Sequence, residues 1–139
     1  MFEQLLHIVE NHLRRFRTGL VRGARAFHDW FWHGNDSEGR GLKLLREWLS
    51  PQQLAQHDAN KYFDVTGCES GKRYRIYHGT SMNIHEIDGA GRPRTGWCFV
   101  PNTNLVAGDV MLVQKIALET DECGALAVAK KFESKDQLN

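Results

Sequence analysis

Several features that mark secreted and membrane-spanning proteins are missing from this sequence. Its 139 residues include three cysteines and three prolines, and its formal net charge is +1. Three cysteines at irregular spacing do not build the dense disulfide framework of a small secreted domain. There is no run of about 18 apolar residues, the length that crosses a membrane, and the N-terminal residues lack the pattern of a signal peptide. We therefore expect a cytoplasmic protein with no membrane span.

Common catalytic motifs are missing as well. The sequence contains no Gly-x-Ser-x-Gly, no phosphate-binding glycine loop and no His-Glu-x-x-His. Cys98 stands between Trp97 and Phe99, which is not the setting of a nucleophile beside a base. We predict no catalytic residue and no cofactor, and a small enzyme of unknown class is only the third hypothesis for function.

What the sequence does contain is a series of short strands between helices. Alternating apolar residues and turn residues predict strands at 62–66, 73–78, 83–87 and 96–100. Helices are predicted at about 41–49, 51–60 and 110–119, with another restarting at Thr120 and Asp121. Ser50, Pro51 and Gln53 form the strongest helix-start signal. The sequence thus predicts an α+β fold, in which helices flank a small antiparallel meander of three or four strands (62–100) behind an N-terminal helical arm.

The chain divides into four segments by composition. They are an amphipathic helical arm (1–33), a glycine-rich linker (34–41), a compact α+β domain (42–132) and a frayed polar tail (133–139). Gly19 and Gly23 interrupt the apolar stripe of the arm. Because glycine weakens a helix, the sequence is compatible with an arm of one kinked helix and with an arm of two separate helices.

The arm carries several arginines and ends in three consecutive aromatic residues. Segments of this kind lie on membrane surfaces, dock into a partner or cover the sheet of their own domain. Residues in succession face different sides of a helix, so one of the two tryptophans at this end is expected to be exposed. We predict that the arm binds a protein partner or a second copy of the chain. The candidate residues are Arg14, Arg17, Arg25, Trp30, Phe31 and Trp32.

A basic and aromatic strand supports a second hypothesis, nucleic-acid binding. Arginine side chains can contact phosphates while an aromatic ring stacks on a base. The near-neutral charge of the chain weakens this hypothesis, because affinity for the phosphate backbone depends on positive charge. An ordinary solvated sheet face is the alternative. The candidate residues are Lys72, Arg73, Arg75, Tyr77, Arg92 and Arg94.

Two cysteines and two histidines on or near the predicted strands suggest a weaker hypothesis, a tetrahedral zinc site. They are Cys68, His78, His85 and Cys98. Their spacing differs from the closely paired cysteines of common zinc sites. We therefore predict no bound metal and interpret these residues as small core cysteines and surface histidines.

Six stretches of the chain, within about 45–130, resemble a known family. They are Leu49–Gln53, Tyr62–Gly67, Gly71–Ile76, Asn83, Trp97–Pro101 and Gly108–Lys115. On these residues the chain resembles a family of short uncharacterised bacterial and phage proteins. That family has no established activity, so the resemblance implies a prokaryotic or mobile-element setting and no catalytic residues. Together with the arm, it leads to the first hypothesis, a non-enzymatic interaction or regulatory protein.

Overall fold

The computed structural model describes residues 37–99 and 104–134, which form four helices and one sheet. The helices are α1 (Ser37–Trp48), α2 (Pro51–Asn60), α3 (Ala107–Thr120) and α4 (Glu122–Val128). The strands are β1 (Tyr62–Thr66), β2 (Arg73–Tyr77), β3 (Ile84–Ile87), β4 (Pro93–Cys98) and β5 (Lys130–Glu133). This architecture confirms the predicted α+β class. Among the described helices, none has the length and hydrophobicity of a membrane span. The predicted arm lies outside the described residues.

The sheet is an antiparallel meander with the strand order β1-β2-β3-β4-β5. The first three strands lie where alternation predicts them, the fourth begins at Pro93 rather than at residue 96 and ends at Cys98, and the fifth was not predicted. Its sequence, Lys130–Glu133, has a single apolar residue and forms a strand by pairing with β4. The predicted tail from 133 therefore begins too early, because Glu133 belongs to β5 and Ser134 is buried.

The two faces of the sheet differ in their side chains. The inner face is apolar and fully buried, and its members are Phe63, Val65, Tyr74, Ile76 and Ile84. Helix α3 packs against this face at β1 and β2 and also contacts α1 and α4. Because it is surrounded in this way, most of its residues are buried, which explains why it lacks a clear polar side.

Helix α1 crosses α3 at two glycines. A Cβ on Gly41 would lie 2.5 Å from Val106 Cγ2, and a Cβ on Gly108 would lie 2.1 Å from the Gly41 carbonyl carbon. The predicted linker over 34–41 is wrong for its second half, because α1 begins at Ser37. Glycine has a low helix propensity, but here the close approach of two helices requires its missing side chain.

Helix α2 starts as predicted. Ser50 Oγ accepts from the Gln53 amide at 3.2 Å, and Gln53 Oε1 accepts from the Ser50 amide at 3.1 Å, which completes a capping box. The other end of the helix buries His57, which is 1% exposed and packs on Phe63 with the ring centroids 6.4 Å apart. Neither ring nitrogen of His57 has a hydrogen-bond partner among the described residues.

His57 makes the stability of the domain sensitive to mild acid. Burial, followed by the nearby charge of Lys61, lowers the pKa of His57 below its ordinary value of 6.5. Because the pKa is lowered in the folded state, the unfolded chain binds a proton at His57 more readily than the folded chain does. The stability from the neutral imidazole is therefore fully present above pH 6.5 and is lost as the pH falls below that value. We expect the free energy of unfolding to fall between pH 7 and pH 5, and the His57→Phe variant to show a flatter dependence in urea titrations. An equal slope in the two proteins would contradict this assignment.

Candidate functional site

The outer face of the sheet carries a continuous row of four rings, Tyr62, Tyr77, His85 and Phe132, which we call the aromatic row. Successive ring centroids along the row are separated by 5.4, 5.4 and 5.2 Å. Each pair meets edge to face, an arrangement that aromatic rings prefer. All four rings are half-buried. The row crosses the sheet from β1 to β5 as one largely non-polar stripe.

The strand register explains how the row forms. Tyr62 pairs with Tyr77 across β1 and β2, while Gly96 of β4 lies between His85 on one side and Phe132 on the other. A Cβ on Gly96 would lie 2.1 Å from the ring of Phe132. Because Gly96 has no side chain, the Phe132 ring lies directly on the β4 backbone and reaches His85. The role of Gly96 could not be predicted from the sequence, because it depends on the fifth strand, which alternation did not predict.

A carboxylate and two arginines adjoin the aromatic row. Asp64 accepts from Arg75 Nε at 2.8 Å and from Arg73 Nη2 at 2.9 Å. The Arg75 guanidinium also lies 4.0 Å from the ring centroid of Tyr62, within the range of a cation–π contact. Burial would raise the pKa of Asp64, but the hydrogen bond and the charge of Arg75 outweigh burial and lower it. The ionised carboxylate therefore holds both arginines beside the row.

The other predicted cations also have carboxylate partners. Lys72 pairs with Glu86 at 3.3 Å, and Arg92 and Arg94 pair with Asp88 at 3.0 and 3.1 Å. Backbone hydrogen bonds, that of Arg92 first, lower the pKa of Asp88 to about 2. All five cations predicted for nucleic-acid binding are thus paired with carboxylates, and they share three of them. Such pairs reduce the positive charge that a phosphate would meet.

The predicted nucleic-acid residues are only partly brought together. Arg73, Arg75 and Tyr77 occupy alternate positions of β2 and share the outer face. Arg92 lies outside the strands, in the connection between β3 and β4, and pairs there with Asp88. Two members of the row that were not predicted as site residues of any kind, Tyr62 and Phe132, come from the first and last strands. Their contribution depends on the register of the whole sheet.

A polar cavity of about 440 Å³ lies where α2 meets the edge of β1. Its lining residues are Ser50, Gln52, Gln53, Gln56, Asp64, Thr66, Arg73 and Glu119. Gln56 Oε1 accepts from the Asp64 amide at 2.9 Å, and Gln53 Nε2 donates to the Asp64 carbonyl at 3.0 Å. Glu119 accepts from Gln53 Nε2 at 3.2 Å and pairs with Lys115. Because these polar groups already satisfy one another, the cavity does not by itself indicate a ligand.

A buried carboxylate organises the turn between β1 and β2. Glu122, which is 2% exposed, accepts from the amides of Glu69 and Ser70 at 2.9 and 2.8 Å and from the Ser70 hydroxyl. It also accepts from the Tyr74 hydroxyl at 2.6 Å. A Cβ on Gly67 would lie 2.3 Å from the carboxylate, so the turn can close on Glu122 only with glycine at this position.

The charge of Glu122 is maintained by these hydrogen bonds. Burial would raise the pKa of Glu122, but the hydrogen bonds from Ser70, Tyr74 and the two turn amides outweigh burial and lower it to about 2. Burial, together with the hydrogen bond to Glu122, raises the pKa of Tyr74. No local sequence pattern indicates this role of Glu122, because its partners are about 50 residues away along the chain.

The residues of the predicted zinc site are not brought together. Among the described residues, the only group of three or more metal-ligating side chains that lie close together contains Cys68, Glu69 and Glu122. His78, His85 and Cys98 do not belong to it. His85 instead belongs to the aromatic row, and Cys98 pairs with Lys130 across β4 and β5.

A search of protein-family models found no match to the chain, and searches of curated proteins and of solved structures found no similar protein.

Proposed function

We propose that this protein is a non-enzymatic interaction protein that associates with a second copy of itself through the arm (1–33) and the aromatic row. The observation that carries the proposal is the row itself. In the described part of the chain, helix contacts run through the inner face and the β1 edge. The outer face carries four clustered rings, and aromatic side chains are enriched at protein interfaces.

A protein partner fits this face better than a nucleic acid does. An aromatic row resembles the stacking surfaces of single-strand binding proteins, which favours the second hypothesis. Those surfaces, however, combine their rings with a positively charged groove. Here Arg73 and Arg75 share the carboxylate of Asp64, so one of the two positive charges next to the rings is offset.

A second copy has the chemistry that the row requires. The row consists of aromatic rings, which pack best against a partner that presents apolar or aromatic side chains. The arm ends in Trp30, Phe31 and Trp32 and carries an apolar stripe before them. Tryptophan and arginine are the residue types that most often dominate binding energy at interfaces, and the arm is rich in both.

The Tyr77→Glu variant tests this proposal. It places a charge in the middle of the row, where burial against a partner would leave the charge unpaired. We expect the dimer dissociation constant, measured by sedimentation equilibrium, to rise about 30-fold or more. The matched control is Met82→Glu, because Met82 is a large exposed hydrophobic residue (57% exposed) outside the row. This control is expected to dimerise like the wild type.

Three further outcomes are informative. A chain lacking 1–33 is expected to stay folded and to be monomeric, and its continued self-association would remove the arm from the proposal. A full-length chain that is monomeric at every concentration would overturn the proposal. Salt-dependent retention of single-stranded DNA or RNA by the full-length chain, reduced by Arg75→Gln, would favour the nucleic-acid hypothesis instead.

A further inference from the structure

Helix α2 is attached to the sheet in an unusual way, because both of its buried residues are polar. They are Gln53 and His57, and the apolar contribution of the helix to the core is the half-buried Leu54. A helix on the surface of a domain normally packs through a stripe of apolar side chains. The main partner of α2 is β1, so the contact between this helix and the edge of the sheet depends on its two polar anchors.

The two anchors differ in how their polar atoms are satisfied. The side-chain nitrogen of Gln53 donates to the Asp64 carbonyl at 3.0 Å and to the Glu119 carboxylate at 3.2 Å. His57 is 1% exposed, yet neither of its ring nitrogens has a hydrogen-bond partner among the described residues. A buried donor or acceptor without a partner costs free energy. An apolar side chain would pack on Phe63 of β1 without this cost, so the histidine calls for an explanation.

The charged groups around His57 oppose a proton on its ring. Lys61 follows the helix, and its amide donates to the His57 carbonyl at 3.0 Å, while the ring centroid of His78 lies 6.2 Å from that of His57. From α1, Arg46 reaches Asp58, the residue after His57. Burial is the first cause that lowers the pKa of His57. The three basic side chains act in the same direction, and Asp58 opposes them.

The part of α2 that contains His57 also covers the backbone of β1, an edge strand of the sheet. Gln56 Oε1 accepts from the Asp64 amide at 2.9 Å. Because Gln56 immediately precedes His57, this hydrogen bond is lost if the imidazole leaves its site. The ion pair that joins this end of α2 to α1 is exposed, and exposed ion pairs contribute little stability. His57 is therefore the main attachment of this end of the helix.

We propose that α2 is an acid-released cover of the β1 edge, and that His57 is its trigger. The neutral imidazole stays packed on Phe63. When the ring takes up a proton from solvent, the charge has no acceptor in the buried site and lies beside basic groups. The C-terminal part of α2 then lifts from β1, while the capped N-terminal end stays in place. The Asp64 amide is thereby exposed, as in an unprotected edge strand.

Hydrogen exchange of the Asp64 amide, followed by NMR in the full-length protein, tests the release. The ordinary pKa of 6.5 applies to His57 in the open state. The protection factor of the Asp64 amide is therefore expected to fall by up to about 25-fold between pH 7 and pH 5. Burial would raise the pKa of the Asp64 carboxyl, but its pairing with Arg75 lowers it below 3.8. That carboxyl stays ionised over this range and does not contribute to the change.

Two variants assign the effect to His57. His57→Phe cannot take up a proton, so the protection factor of the Asp64 amide is expected to be the same at pH 7 and pH 5. The matched control is His78→Ala, which removes the neighbouring exposed histidine. This control is expected to keep the fall in protection, because burial rather than His78 is the first cause of the lowered pKa.

A second measurement uses the wild-type protein and does not depend on the folding of any variant. Release of one end of α2 exposes little surface, so exchange of the Asp64 amide should depend only weakly on low concentrations of urea. A urea dependence as steep as that of the amides of α3 would indicate unfolding of the whole domain and would overturn the proposal. A protection factor that does not change with pH, or an equal fall in His57→Phe, would overturn it as well.

Discussion

Replacing Glu122 with alanine is expected to lower the free energy of unfolding by about 3–5 kcal/mol, the range found when one partner of a buried charged network is removed. The carboxylate is the acceptor for two backbone amides and two hydroxyl groups of the β1–β2 turn and of β2. Without it, the Tyr74 hydroxyl would be left in a site that is 0% exposed. A buried donor without an acceptor costs about 1–3 kcal/mol, so several such losses act together.

The measurement is urea unfolding of the variant beside Glu47→Ala, a control in which an exposed carboxylate on α1 is removed. The control is expected to change the stability by less than about 0.5 kcal/mol. A double-mutant cycle with Tyr74→Phe should give a coupling energy of about 0.5–3 kcal/mol, since the two side chains are in direct contact. A Glu122→Ala variant as stable as the control would show that the turn does not depend on this carboxylate.

The lowered pKa of Glu122 leads us to expect a loss of stability in acid. Its pKa is lowered to about 2 from an ordinary value of 4.5, so its contribution is fully present above pH 4.5 and is lost as the pH falls towards 2. A shift of this size corresponds to about 3 kcal/mol. The Glu122→Gln variant is expected to lose this part of the acid dependence, while the milder loss due to His57 at higher pH remains.

Replacing Gly108 with alanine is expected to destabilise the domain by about 3 kcal/mol or more. The new Cβ would lie 2.1–2.3 Å from backbone atoms of Gly41 and Leu42. A side chain can rotate away from a new neighbour, but a helix backbone cannot, so α1 and α3 would have to separate. Overpacking commonly costs about 1–3 kcal/mol and sometimes more. Because this clash is with backbone atoms, we expect a cost above that common range, and the gain in helix propensity of about 1 kcal/mol offsets only part of it.

Alanine substitutions at two other glycines are expected to cost less stability and therefore serve as comparisons. A Cβ on Gly41 would first meet the side chain of Val106 at 2.5 Å, so Gly41→Ala should cost less than Gly108→Ala. A Cβ on Gly89 would meet nothing within 4 Å, so Gly89→Ala should be close to neutral. Thermal unfolding of the three variants checks the order. A Gly108→Ala variant that melts like Gly89→Ala would mean that the two helices do not pack as closely as described.

Local sequence signals predicted those parts of the fold that depend on near neighbours. The capping box of Ser50 and Gln53 involves residues three positions apart, and the alternation in β1 and β2 lies within single strands. Strand β5 and the start of α1 were missed for the opposite reason. The first forms because β4 offers an edge, and the second because Gly41 packs against α3.

The candidate sites divide in the same way. Arg73, Arg75 and Tyr77 could be assigned to one face because alternate residues of a strand point the same way. The joining of Tyr62 to Phe132 could not be predicted, since it requires the register of all five strands. The pairing of the arginines with Asp64 follows from that register too. It offsets part of the positive charge of a face that is basic in sequence.

The two glutamines of α2 that bind the backbone of Asp64 have a consequence for how copies of the chain can meet. The backbone groups of an unpaired edge strand can pair with another strand and so lead to fibrous aggregation. At the middle of β1 these backbone groups are already hydrogen-bonded to the side-chain amides of the two glutamines. At the opposite border, β5 displays exposed Lys130, Lys131 and Glu133, charges that oppose the same kind of pairing. With both borders protected in this way, the sheet is poorly suited to grow sideways into a polymer. The proposed association of two copies would then use the broad side of the sheet, where a symmetric contact closes after two copies.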